Sequence, residues 1–144
     1  SLTASIDALT GTKGNDTFNA LETSTPAATL TALDSIDGGA GTDTLNVTQT
    51  TAVTVPTSAT VTNVENAKIV SGAGVTANTT KWTGLESLTV AGVHALTVTA
   101  SATTDVVATD SDLDNAKTLS VPGQRHQCWY YHCRIWCSES CIYS

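Results

Sequence analysis

The pattern G-G-x-G-x-D-x-U-x, in which U is a large apolar residue, is matched at every specified position by Gly38-Gly39-Ala40-Gly41-Thr42-Asp43-Thr44-Leu45-Asn46. Glycines allow a tight turn to take positive φ angles and to direct its carbonyl groups inward. The aspartate supplies a hard anionic oxygen, which is the ligand type that Ca²⁺ prefers. The apolar residue two positions later points into a core. These nine residues therefore predict a metal-binding turn followed by a short strand.

A second copy of the pattern lies upstream, as Gly11-Thr12-Lys13-Gly14-Asn15-Asp16-Thr17-Phe18-Asn19. It departs only at its second position, where a threonine replaces the glycine. The tail of another nonapeptide precedes each copy, so that the whole unit 7–20 recurs as 34–47, three nonapeptide lengths later. Ordinary turns between strands are the alternative. They explain the aspartates but not the repetition of the full pattern.

The predicted Ca²⁺ ligands follow from this alignment. The first candidates are the carboxylates of Asp16 and Asp43, the second are those of Asp7 and Asp34, and the backbone carbonyls of Gly11, Gly14, Gly38, Gly39 and Gly41 would complete the shell. Turns on the same side of a regular roll recur every two nonapeptides. We therefore expect Asp16 and Asp34 to face each other, provided that residues 21–33 form a normal coil.

Composition narrows the classes of function. The 144 residues include 13 acidic and six basic side chains, giving a net charge of −7. Without a basic patch, nucleic-acid binding is not expected, and no apolar run is long enough for a membrane span. The motifs H-E-x-x-H and G-x-S-x-G and a phosphate-binding loop do not occur, so we do not expect an enzyme. The sequence contains no methionine, and we expect it to be a fragment of a longer protein.

Three segments differ in composition: residues 1–47 with the glycine-aspartate units, residues 48–121 rich in Thr, Ala and Val, and residues 122–144. In the second segment, Thr62–Ile69 parallels Thr83–Val90 about twenty residues later, and Leu113–Leu119 is a looser third copy. A spacing of this size is typical of one coil of a solenoid. The sequence thus predicts an all-β fold of stacked coils, a parallel β-solenoid resembling a β-roll, with Gly-Asp calcium-binding turns.

The strands predicted in this region are Leu45–Val55, Ala67–Val70, Ser87–Val90, Ala95–Thr99 and Thr118–Val121. Glu65 and Glu86 are expected at equivalent turns, as solvated acids in preference to metal ligands. Trp82 is expected to pack at a coil corner, and His94 to lie at the surface. The spacing of Asp110, Asp112 and Asp114 resembles the start of an EF-hand loop but lacks its glycine and distal glutamate, so it predicts an acidic surface loop.

The last segment has a different character. Residues 122–144 contain all four cysteines, both arginines and two of the three tryptophans. A zinc site or disulfides are possible with such residues, but the cysteine spacing is not that of common zinc modules. When the codons that could encode Gln124–Cys133 are read one nucleotide later, the resulting residue types resemble those of residues 45–121. The preferred hypothesis is out-of-frame translation, giving a disordered tail whose cysteines have no selected function.

Together, the run Leu9–Phe18, the run Ile36–Asn46 and the Thr/Ala/Val-rich segment that follows resemble the RTX-type surface-layer proteins of Gram-negative bacteria. The resemblance covers residues 1–121 and is most specific in 7–47. It implies an extracellular structural protein on the bacterial cell surface, exported by type I secretion and assembled with Ca²⁺ into a lattice by self-association. It also implies anchoring to lipopolysaccharide through a region that this sequence does not contain. The alternative is the repeat region of another secreted RTX protein, such as a protease, lipase, adhesin or toxin.

Overall fold

A computed structural model describes residues 1–25, 27–111, 117–120, 126–130, 133–137 and 141–143. These residues form strands and turns without a helix, and parallel strands stack into a β-solenoid of about four turns. The predicted all-β, parallel solenoid is confirmed. None of the described residues belongs to a helix long and apolar enough to cross a membrane.

Three parallel sheets form the faces of the solenoid. Face A contains β1 (Ala8–Thr10), β3 (Ser35–Asp37) and β6 (Thr60–Thr62). Face B contains β2 (Thr17–Leu21), β4 (Thr44–Gln49), β7 (Asn66–Ser71), β9 (Ser87–Gly92) and β11 (Asp105–Asp110). Face C contains β5 (Val53–Thr54), β8 (Val75–Asn78), β10 (Leu96–Thr99) and β12 (Lys117–Ser120). The first coil contributes β1 and β2, the second β3 to β5, and the third β6 to β8.

The core lies between the three faces and is built by alternation along each strand. On face B, Val47 pairs in register with Ile69, which pairs with Val90, and all three are at most 1% exposed. On face C, Val75 lies next to Leu96 in the same way. Alternating side chains of a strand point to opposite sides, so each coil adds one apolar layer to a continuous core.

Two of the sequence predictions about strands need correction. The predicted strand Leu45–Val55 is two strands, β4 and β5, because the chain turns a corner between them and joins a different face. The looser third copy, Leu113–Leu119, is also out of place. Its described part belongs to β12 on face C, whereas the strands of the first two copies pair on face B as β7 and β9. The expected equivalence of those two copies is confirmed by the pairing of Asn66 with Ser87.

The segment 122–144 contributes β13 (His126–Tyr130), β14 (Cys133–Cys137) and β15 (Cys141–Tyr143). The expectation that the tail is disordered stays a prediction. Strand β13 continues face B in parallel with β11, but β14 and β15 pair antiparallel. The parallel coil pattern therefore ends at this segment. Out-of-frame translation of the tail stays a prediction.

Candidate metal centre

One corner of the solenoid carries an acid in each of four successive coils. Asp16, Asp43, Glu65 and Glu86 each immediately precede a strand of face B, and those strands pair in register at the following residues. We call these four residues the acidic column. Neighbouring strands of a sheet lie about 4.8 Å apart, so the column places negatively charged residues one coil spacing from each other.

Backbone hydrogen bonds connect the column. The Asp16 N–H donates to Oδ1 of Asp43 at 2.6 Å, and the Asp43 N–H donates to Oε2 of Glu65 at 2.7 Å. The first step of the column spans 27 residues. The expectation that Asp16 faces Asp34 is therefore wrong: one coil here has the length of three nonapeptides, whereas turns on the same side of a regular roll recur every two. Asp34 instead accepts the N–H of Asp7 at 2.9 Å.

Three of the four predicted aspartates have carboxylates that close their own turns. Oδ2 of Asp16 accepts the backbone N–H of Thr12 at 2.6 Å and its hydroxyl at 2.9 Å. The Asp7 carboxylate accepts the same two groups from Thr3, and Asp34 accepts them from Thr31. Such side-chain to backbone bonds stabilise a turn without an ion. The carboxylates of these three residues therefore have hydrogen-bond partners within the chain.

Asp43 differs from the other three. It is 1% exposed, as Asp34 is, but its Oδ2 is the one buried side-chain oxygen or nitrogen among the described residues that has no hydrogen-bond partner. A buried polar atom without a partner costs about 1–3 kcal/mol, and more when it is charged. Such an atom needs an explanation, and a bound ion is one that native structures provide.

The surroundings of this oxygen are rich in other oxygens. Oδ2 of Asp43 lies 2.6 Å from the position that a Cβ on Gly38 would take, and the carbonyl oxygen of Asn63 lies 1.7 Å from the same position. Glu65, whose carboxylate accepts the Asp43 N–H, is half-buried. Carboxylate and carbonyl oxygens are the ligands of a hard cation such as Ca²⁺, so the chemistry of this donor set fits the ion.

Acidic side chains alone do not complete a metal site at this corner. In the described part of the chain, no group of three or more His, Cys, Asp or Glu side chains is arranged to hold a metal ion. An ion at this corner would therefore depend on backbone carbonyls besides the acidic side chains. Ligation by Asp7, Asp16, Asp34 and the glycine carbonyls stays a prediction.

The glycines of the two nonapeptides have separate roles. Gly39 and Gly41 have positive φ angles of 92° and 126°, as predicted for the turn. Gly11 and Gly38 do not; they are required because the next coil passes too close for a side chain. A Cβ would lie 1.9 Å from the Gly38 carbonyl oxygen in the first case and 1.7 Å from that of Asn63 in the second.

Glu65 and Glu86 lie at equivalent turns, as expected, but the nonapeptide pattern does not indicate that Glu65 contacts Asp43. Glu65 was expected to be a solvated acid, but it accepts a hydrogen bond from the backbone of a buried residue. The sequence feature that could have indicated this contact is the position of Glu65 directly before a strand, which is also the position of Asp43. Glu86 is exposed, as expected.

Comparison with known proteins adds no family to this description, because no protein-family model and no curated protein sequence matches the chain. The chain is a parallel β-solenoid. In the part that the structure describes, one corner carries the acidic column and one buried carboxylate oxygen that lacks a partner.

Proposed function

We propose that this chain is part of a structural, non-enzymatic subunit of a calcium-dependent layer on the surface of a bacterial cell. The single observation that carries the calcium part is the buried Oδ2 of Asp43, which has no partner among the described groups. The array part rests on the resemblance of residues 7–47 to RTX-type surface-layer proteins and on the open strand edges of a solenoid, which favour association. Binding to lipopolysaccharide is part of this proposal through the resemblance alone.

Calcium would supply positive charge to the acidic column. Two like charges 4 Å apart near a protein surface repel by about 4 kcal/mol, and the column holds its acids at about one strand spacing. Asp43 and Glu65 would bind the ion, since they contribute the buried oxygen and the adjacent half-buried carboxylate. Because the unfolded chain lacks this arrangement, binding energy would add directly to the stability of the fold.

Circular dichroism of the full chain tests the calcium part. We expect β signal to increase between micromolar and millimolar Ca²⁺, and Asp43→Ala to blunt the increase. Asp105→Ala is the matched control, because it removes the same charge from an exposed position on the same face. Spectra of the unmodified chain that do not change across this range would contradict calcium-dependent folding.

Light scattering of the calcium-loaded chain tests the array part separately. Self-association should appear only with Ca²⁺ present and should reverse when the ion is chelated. A chain that folds with Ca²⁺ but stays monomeric at high concentration would support calcium binding and contradict lattice formation by this segment.

A further inference from the structure

We propose that Glu65 and the Asn63 backbone carbonyl join Asp43 in one divalent-cation site between the second and third coils. This inference rests on the proposed function and deepens it, since it assigns the ion to one place. Neither of the two added residues belongs to a nonapeptide. The site thus lies at the boundary where the glycine-aspartate repeats end.

The first argument is the convergence of two oxygens on one point. Oδ2 of Asp43 and the carbonyl oxygen of Asn63 both lie close to the position above the α-carbon of Gly38 where a side chain would begin. Asp43 is almost fully buried and its Oδ2 has no hydrogen bond. A carboxylate oxygen without a partner thus lies near a carbonyl oxygen, an arrangement that a cation would stabilise.

The second argument is the placement of Glu65. Its Oε2 accepts the Asp43 N–H at 2.7 Å, which holds this carboxylate against the backbone of the buried acid. Two carboxylates held together carry a charge of −2, which matches one divalent cation. Because all the donors are oxygens, the site is suited to Ca²⁺ and not to a metal that prefers nitrogen or sulfur.

The third argument is that the other acids of the repeats are engaged elsewhere. The carboxylates of Asp7, Asp16 and Asp34 hold the N–H and hydroxyl groups of threonines in their own turns. An ion there would compete with those hydrogen bonds for the carboxylate oxygens. Glu86, the next acid of the column, is exposed, and the neighbouring coil uses its backbone carbonyl instead. The column therefore offers one favourable position.

Isothermal titration calorimetry of the metal-stripped full chain with CaCl₂ tests this assignment. We expect about one ion per chain, and Asp43→Asn should abolish the binding heat. Glu65→Gln should weaken binding by at least about tenfold, a loss typical of removing a group that supports a metal ion. Glu86→Gln is the matched control, since it makes the same change one coil later, and it should leave the affinity within about twofold.

The outcomes separate this inference from the proposed function. Absence of binding by the unmodified chain would overturn both. Equal affinities of the Glu65→Gln and Glu86→Gln variants would overturn only the present assignment, and so would an Asp16→Asn variant that loses as much affinity as Glu65→Gln. If Glu65→Gln does not fold without Ca²⁺, Glu65→Asp replaces it, with Glu86→Asp as its control. The shortened acid keeps the charge, and it should still lower affinity relative to that control.

Discussion

At the scale of single residues, close packing between coils should make the replacement of one glycine by alanine cost much more stability than the replacement of another. A methyl group on Gly38 would lie 1.7 Å from the backbone carbonyl oxygen of Asn63. A backbone atom cannot move aside as easily as the end of a flexible side chain. We expect Gly38→Ala to destabilise the chain by about 1–3 kcal/mol, the usual cost of overpacking. Urea unfolding followed by circular dichroism, in calcium-free buffer, measures this loss without any contribution from an ion.

Gly14→Ala is the control for that experiment. The nearest atom to a Cβ at Gly14 is the Thr12 hydroxyl oxygen, 3.9 Å away, and the φ angle of Gly14 is not positive. Replacing such a glycine by alanine should change stability by less than about 1 kcal/mol. If Gly14→Ala is as damaging as Gly38→Ala, packing between coils is not the reason for these glycines.

Glu22 provides a pH-dependent contact at another corner. Its Oε2 accepts the Thr50 N–H at 2.7 Å and the Thr50 hydroxyl, and Oε1 accepts the Thr51 hydroxyl at 2.9 Å. The hydrogen bonds from Thr50 hold the pKa of Glu22 below its ordinary value of 4.5. The unfolded chain therefore binds the proton more tightly, so this contact stabilises the fold above pH 4.5 and is lost as pH falls through the lowered pKa.

We therefore expect Glu22→Gln to lower the urea midpoint at neutral pH by a small amount, since the carboxylate is solvent-exposed and screened. The difference from the unmodified chain should shrink as pH is lowered below 4.5. The double variant Thr50→Ala, Thr51→Ala removes both hydroxyl donors and should reduce this pH dependence. A difference that grows on acidification would have the wrong sign and would exclude the contact.

The residues of the candidate site show what local patterns can predict. The nonapeptide identified Asp43 and its turn, because ligand type and glycine spacing are local properties. It did not identify Glu65, since that residue reaches the site only through pairing with a chain segment 22 residues away. The same limit explains the wrong pairing of Asp16 with Asp34: the length of a coil depends on how residues 21–33 close it, which no motif encodes.

At the scale of strands, the alternation of buried and exposed side chains determines which substitutions matter. In β7, Ile69 is fully buried between Val47 and Val90 of the neighbouring coils, and the preceding residue, Lys68, is exposed. Ile69→Ala should cost about 2–5 kcal/mol because it leaves a cavity in the shared core. Lys68→Ala should change stability by no more than about 0.5 kcal/mol.

Thermal or urea unfolding of the two variants checks this difference. Both substitutions introduce alanine at adjacent positions of one strand, so the two variants differ mainly in which side of the strand loses its side chain. Comparable losses in the two variants would contradict the assigned register of face B. A larger loss for Lys68→Ala would indicate that the strand presents its other side to the core.

Strand prediction from the sequence succeeded where alternation alone carries the information. The segments Ala67–Val70 and Ser87–Val90 lie within β7 and β9. Prediction failed at Leu45–Val55, because apolar residues continue on both sides of a corner and alternation does not reveal where the chain changes face. Trp82 was predicted correctly as a corner residue and is 5% exposed. Its large side chain belongs to the hydrophobic core at a position between two strands.

At the scale of the whole molecule, each coil contacts only its neighbours, so the fold behaves as a stack of separable units. On face B, β4 and β9 would be compatible neighbours if β7, which lies between them, were absent. Leu45 and Leu88 occupy the same register position in β4 and β9, with Ala67 between them. The core would then keep a similar width along its length.

This modularity predicts the effect of removing one whole coil. Deletion of residues 66–86 joins Glu65 directly to Ser87, which replaces Asn66 at the start of a face B strand. We expect the shortened chain to fold with a similar circular dichroism spectrum per residue and with reduced stability, because one layer of core is lost. Deletion of residues 66–75 removes about half a coil and shifts every later strand to another face. That chain should fail to fold, and if both deletions behave alike, the coils are not the independent layers that the register implies.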